Sequence, residues 1–224
     1  MNIRTNTKAL ALVLLAVGLG ALATAQDTQP AAAPVALPAP DTSGGMSLNQ
    51  ALATRRSIRA FSDQALTAQQ VGQLLWAGQG ITEPQRGKRT APSAGATYPL
   101  ELYIAQPTGV AHYDAPNHRL EPVGNQDVRK MIGRQPAVTG APLVIVIAAD
   151  MRRTAGRYGE RSQSFVLLEA GHVAQNILLE ATALGLGAVP VGAFDPASTK
   201  QAMGLPDDLQ VLYMVPVGHP RQVP

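Results

Sequence analysis

Arg55-Arg56-Ser57-Ile58-Arg59 places three guanidinium groups and a hydroxyl within five positions. Guanidinium is planar, stays charged at physiological pH and bonds phosphate oxygens in pairs, so such a cluster can receive a phosphate dianion. Cations at a helix C-terminus also complement the helix dipole, which is the plainer reading of the same residues. Ala91-Pro92-Ser93-Ala94-Gly95 falls one residue short of a nucleophile elbow. That motif needs a strand before the serine and a helix after it, whereas here a basic loop precedes and Pro99 follows, which argues against a serine hydrolase. Gly185-Leu186-Gly187-Ala188-Val189-Pro190 has proline where a dinucleotide fingerprint has its third glycine, and Thr82 stands where a phosphate loop ending in Gly87-Lys88 needs its first. The four histidines lack metal-ligand spacing, and without cysteine there is no thiolate nucleophile, disulfide or cysteine metal site. No metal is expected, and His172 reads as a packed residue.

The elements that must carry these residues are legible from pattern. Ser47 with Gln50, and Thr67 with Gln70, have capping-box spacing and open two helices. The first leads through Leu48, Ala51 and Leu52, with Arg55 and Arg56 in its last turn; the second runs to Trp76 and stops at Gly78 and Gly80. Ile81 to Thr90 reads as a loop, and Leu100 to Ala105 as a strand. Val110 to Tyr113 and His118 to Val123 flank the turn cluster Asp114-Ala115-Pro116-Asn117 as a hairpin. Asn125 is placed to cap a short helix through Ile132. Leu143 to Ala149, apolar throughout, predicts a strand buried on both faces. The longest helical pattern covers Ser162 to about Leu184, with Gly185 to end it and Gly171 hinting at close helix contact. Ala188 to Val191 predicts a short strand. Asp195-Pro196 opens a helix ending near Gly204, and Gln210 to Val217 a last strand. Helices and strands mix without regular alternation, so the fold class is α+β.

The ends bound the domain. Arg4 and Lys8 precede an apolar run closing on Ala23-Thr24-Ala25, the pattern of a signal peptide over residues 1–25, so the chain is expected to be exported to a periplasmic or extracellular space without stable membrane insertion after cleavage. Residues 26–45, rich in alanine and proline, read as an extended linker, leaving 46–224 as the folded domain. Of 18 basic residues Arg4 and Lys8 are lost with the signal, against 15 acidic, so the mature chain is near neutral and nothing points to nucleic acid.

Taken together, Arg55 to Phe61, Arg89 to Pro99, Val189 to Phe194 and Val217-Gly218-His219-Pro220-Arg221 resemble the nitroreductase family of flavoproteins, and within it the SagB-type branch of thiazoline and oxazoline dehydrogenase-like members. The resemblance implies an FMN-dependent oxidoreductase, a mainly antiparallel sheet surrounded by helices, and a homodimer packed through the Ser162–Leu184 helix. It implies that Arg55, Arg56, Ser57, Arg59 and Arg221 hold the FMN phosphate and ribityl chain. Pro92, Ser93 and Gly95, from the same or the partner subunit, would line the ring, along which Pro190, Val191 and Gly192 run with a backbone N–H at N5. Tyr98, with Trp76 as a packing neighbour, would border the pocket for a small organic substrate. The lysine-tyrosine pair of azoline oxidation is absent, since Thr97 precedes Tyr98. NAD(P)H is scarce outside the cytoplasm, so electrons would pass to oxygen, a quinone or a protein partner. The alternatives are an NAD(P)H-dependent nitroreductase or quinone reductase, and a non-catalytic flavin-binding scaffold.

Overall fold

The computed structural model describes Met1 and residues 33–221. The expected signal peptide, apart from Met1, and the first part of the expected linker lie outside the described residues. In chain order the elements are β1 (Val35–Ala36), α1 (Leu48–Thr54), α2 (Ala68–Gln79), β2 (Ile81–Glu83), β3 (Lys88–Arg89), β4 (Leu100–Gln106), β5 (Gly109–Asp114), β6 (Arg119–Gly124), α3 (Arg129–Ile132), α4 (Pro136–Thr139), β7 (Leu143–Asp150), α5 (Arg152–Tyr158), α6 (Ser162–Ala183), β8 (Gly187–Ala188), α7 (Pro196–Met203) and β9 (Leu209–Gly218). Seven strands form one sheet in the order β1-β6-β5-β4-β7-β9-β8, every ladder antiparallel, and β2 and β3 form a small separate hairpin. This is the α+β architecture the sequence predicts.

β7 explains its own composition. Leu143, Ile145, Ile147 and Ala149 face a core shared with α2 and α6, while Val144, Val146 and Ala148 face a second core under α3, α4 and α7. Flanked by β4 and β9 and covered on both faces, it has no position from Leu143 to Ala149 where a polar side chain would meet water. Each fully buried Leu or Ile contributes about 1.5–3 kcal/mol of transfer free energy, so this central strand and the inner face of α6 anchor the domain. Gly185, at φ +70°, follows the end of α6 as expected.

Several expectations need correction. Thr67 and Gln70 form both halves of their capping box, but at α1 only the serine half forms, Ser47 Oγ accepting the Gln50 N–H at 3.2 Å. α1 ends at Thr54, so Arg55 is its C-cap and Arg56 lies beyond it. α2 continues through Gly78, where a Cβ would sit 3.1 Å from Leu102 and 3.2 Å from Ile177; the glycine permits close packing rather than ending the helix. Part of the Ile81–Thr90 loop pairs as β2 and β3. Asn125 caps nothing, because α3 starts at Arg129 behind Val128. β8 is shorter than predicted because Pro190 has no N–H for the ladder, which resumes as a bridge between Val191 and Met214. His172 is exposed rather than packed, and the α4 and α5 turns carry no pattern long enough to predict. The second part of the expected linker is an edge of the sheet. Val35 and Ala36 pair with Leu120 and Arg119, Leu37 N–H donates to the His118 carbonyl at 3.0 Å, and Asp41 exchanges two bonds with Gln73.

Candidate functional site

The arginine segment is fixed to the last strands of the sheet by backbone contacts. Ile58 N–H donates to the Ala188 carbonyl at 3.0 Å beside a parallel bridge between Ser57 and Ala188. Three residues on, Phe61 bridges Pro220, Ser62 N–H donates to His219 at 2.9 Å and Arg221 N–H to Ala60 at 3.0 Å. Arg221 is thereby brought beside Arg59, which sequence separation alone does not show. Paired glycines make room: a Cβ on Gly187 would lie 2.6 Å from Ile58 Cγ2, and one on Gly218 2.9 Å from Phe61 Cβ.

The charges here have no counter-ions among the described residues. Among the described residues Arg55, Arg56, Arg59 and Arg221 form no ion pair, while Arg86, Arg119, Arg129, Arg152 and Arg153 all do. Arg56 bonds only backbone carbonyls, those of Ala53 and Arg55, and the Ser57 hydroxyl has no partner among these residues. Pro190, Val191 and Gly192 continue from the same bridge, with the Ala193 carbonyl accepting from Gln135 Nε2 at 3.2 Å. The exposed Gly192 N–H makes no hydrogen bond among the described residues. Four guanidiniums without ion pairs, a hydroxyl and a backbone N–H are thus donors left without an acidic partner among the described residues, and an anion could use them.

Pro92, Ser93, Gly95 and Tyr98 belong to a second constellation. Gly95 stands at φ +62°, and a Cβ there would lie 2.8 Å from Tyr158 Oη and 2.9 Å from the Arg157 side chain, so glycine is required on both counts. Tyr98 N–H donates to Ser93 Oγ at 2.9 Å, Arg153 and Arg157 donate to the carbonyls of Tyr98 and Gly95, and Thr97 bonds Thr154 at 2.9 Å. These contacts shape a cavity of about 550 Å³ lined by Lys88, Arg89, Ser93, Gly95, Tyr98 and Arg157. Arg89 lies over the Tyr98 ring at 5.1 Å and donates to Gln79 Oε1 at 2.7 Å. Behind the loop α6 brings Glu169, whose pKa burial pushes up to about 7 against the lowering effects of the Ser93 hydroxyl and Arg89. Sequence reasoning missed Glu169 and Gln79 and gave Arg89 no role beyond opening the Arg89–Pro99 segment; a carboxylate and an amide on otherwise apolar helix faces were the available signal. Trp76 is partly buried and borders other clefts beside Met46 and Glu180.

One chain does not bring the two constellations together. The arginine segment meets β9 at Val217 and Gly218, whereas the Tyr98 loop meets the sheet where Asp150 N–H donates to Pro99 and Asp150 pairs with Leu209. At about 3.3 Å per residue, the length of β9 separates them by about 30 Å. Among the described residues no hydrogen bond or ion pair joins them. α6 also presents an uncovered apolar face: Leu167 and Leu168 (61% exposed) lie there, and Gly171 has nothing within 4 Å of where a Cβ would sit. On α1, which packs against α6, Leu48 and Leu52 are exposed as well. Ala170 and Ala174 face the chain's own core, so Gly171 makes no close helix contact within this chain.

A family model described as "Nitroreductase family" matches residues 52–219. A protein of Methanocaldococcus jannaschii named as a nitroreductase is 37% identical over 181 residues, covering 76% of this chain and 90% of that protein. The crystal structure of a protein from Ralstonia eutropha, described as a nitroreductase, superposes with a TM-score of 0.80 at 33% identity, over 85% of this chain and 90% of that one. The FMN reductase (NADPH) of Bacillus subtilis is 25% identical over 185 residues, 76% of this chain and 65% of that protein.

Proposed function

The chain belongs to the nitroreductase family, and from that premise we propose that it is an FMN-dependent oxidoreductase whose cofactor site is completed by a second copy of the chain. The observation that carries this reading is the group of arginines without ion pairs among the described residues, joined across the sheet end by the Arg221 N–H to Ala60 bond. FMN has one terminal phosphate, and Arg55, Arg56, Ser57, Arg59 and Arg221 supply donors for it and the ribityl chain. Gly192 offers its free N–H to N5, a donor that cannot titrate. Pro92, Ser93 and Gly95 line the ring from the partner, since in one chain they lie far from the arginines, and Tyr98 borders the substrate. Bound FMN supplies the two-electron redox chemistry with a small organic substrate, so the protein's task is to hold, orient and shield it. The homodimer reading is supported by the apolar face of α6, where Gly171 leaves room for a partner helix to approach.

The SagB-type reading rests on the resemblance of the four segments taken together, and the missing lysine-tyrosine pair turns it away from azoline substrates. The signal-like N-terminus supports export, and with it a dehydrogenase that passes electrons to oxygen, a quinone or a protein partner. Among the described residues no helix is long and apolar enough to cross a membrane. An NAD(P)H-dependent nitroreductase or quinone reductase is the second reading, favoured by the name of the Bacillus subtilis relative. Anaerobic mixing of FMN-loaded protein with NADPH separates them: slow bleaching of the flavin band supports the exported dehydrogenase, and fast bleaching at micromolar NADPH refutes it.

A further inference from the structure

The cavity beside the Ser93 loop has cations on its wall and, among the described residues, no acid. Lys88 and Arg89 come from β3 and Arg157 from α5, and the rest of the lining is alanine, proline, serine, glycine and tyrosine. None of these cations forms an ion pair among the described residues. The Lys88 ammonium has no hydrogen-bond partner there either; the Thr82 hydroxyl meets only its backbone carbonyl. Arg89 donates to Gln79 Oε1 at 2.7 Å and Arg157 to the Gly95 carbonyl at 3.3 Å, and a guanidinium carries five N–H groups, so both keep donors to spare.

Burial disfavours the Arg89 charge and lowers its pKa, yet a guanidinium does not give up its proton. Two carboxylates act on it, Glu101 and Glu169. Glu101 is already bonded to Arg153 at 2.6 Å and to His112 at 2.8 Å, and burial raises the Glu169 pKa to about 7. A concave wall bearing charges of one sign concentrates a positive potential in the space it encloses. An anionic ligand supplies the counter-charge that the described residues do not.

We propose that this cavity is the anion subsite for the substrate and that the substrate is a small organic carboxylate, its charge received by Lys88, Arg89 and Arg157. The proposal rests on the FMN reading, in which Pro92, Ser93 and Gly95 line the ring. The same three residues line the cavity, so the ring face and the cations share one space. At about 550 Å³ that space suits a small molecule. The paired N–H groups of a guanidinium match the two oxygens of a carboxylate, and the Tyr98 ring adds a flat apolar wall under Arg89. The FMN phosphate has its own donors in Arg55, Arg56, Arg59 and Arg221, which leaves the cavity cations to the substrate.

The test is calorimetric titration of the FMN-loaded protein with benzoate, with benzamide as its uncharged counterpart of similar shape, and with phenyl phosphate, in wild type, Lys88→Gln and Lys88→Glu. Because the Lys88 ammonium bonds nothing among the described residues, neither substitution removes an internal contact. Wild type should bind benzoate about ten-fold more tightly than benzamide, a preference that about 0.5 M salt should erode. Lys88→Gln should weaken benzoate about three- to five-fold and Lys88→Glu more than about ten-fold, with benzamide unmoved in both. Benzamide binding as tightly as benzoate, or a Lys88 dependence confined to phenyl phosphate, overturns the proposal while the flavin absorption band of the loaded protein upholds the FMN reading. Loss of FMN itself from Lys88→Glu also overturns it, since the cavity would then hold the cofactor phosphate. A wild-type protein that takes up no FMN overturns both.

Discussion

Replacing Gly187 with alanine tests whether the sheet end holds the arginine segment in place. The new Cβ would lie 2.6 Å from Ile58 Cγ2 and 2.7 Å from Ile58 Cβ, where ordinary contact begins at 3.4 Å. The atoms in the way belong to the stem of a β-branched side chain, which cannot swing aside as a flexible end could. Gly187 is not at a positive φ, so alanine adds bulk without backbone strain. Ile58 must retreat by most of an ångström, stretching its 3.0 Å bond to the Ala188 carbonyl and dragging Ser57 and Arg59 with it. Overpacking costs about 1–3 kcal/mol and the weakened bond about 1 kcal/mol, while the loss of glycine's freedom in the unfolded chain returns about 0.4–1 kcal/mol. The net loss is then about 1–3.6 kcal/mol, read as a lower urea midpoint at unchanged slope. FMN affinity should fall about ten-fold as the phosphate donors leave register. A variant with the wild-type midpoint and wild-type FMN affinity would refute the reasoning.

Arg59→Ala removes a charged donor but no ion pair, so FMN should bind about ten- to a hundred-fold more weakly by fluorescence titration with the urea midpoint unchanged. Deleting residues 26–40 strips β1 and the Leu37 bond to His118, and should cost about 2 kcal/mol in urea unfolding. His112 bonds Glu101 at 2.8 Å and lies 3.5 Å from Glu121; burial disfavours its charge, but the two carboxylates outweigh burial and raise its pKa above 6.5. Its contribution is therefore complete below pH 6.5 and lost as pH rises through the folded value, a decline that His112→Gln should abolish in urea midpoints measured across that range. Glu169 acts in the same direction from about pH 4.5 to 7, because it ionises in the unfolded chain first, and Glu169→Gln separates the two contributions.

Patterns that repeat along one element were legible in the sequence. The apolar run of β7, the Thr67–Gln70 box and the Asp195-Pro196 start of α7 each state a local geometry, and each appears where predicted. What depends on a distant partner was not legible. Val35 and Ala36 are too few to show alternation, and they become a strand only because β6 offers an open edge. Glu169 looks like any charged position of a long helix until the fold buries it. The arginine segment could be read as a helix end or an anion site, and only the contacts of Ala188 and Arg221 with the same segment favour the second.

The central claim is that one FMN lies between the arginines of one subunit and the Ser93 loop of its partner. Arg59→Glu should abolish binding by repelling the phosphate, and Pro92→Trp, at an exposed loop position, by blocking the ring. Mixed, unfolded and refolded together, the two variants should form heterodimers with one intact site each and recover about a quarter of the wild-type FMN capacity. If a single chain held the whole site, the mixture would bind no more FMN than either variant alone.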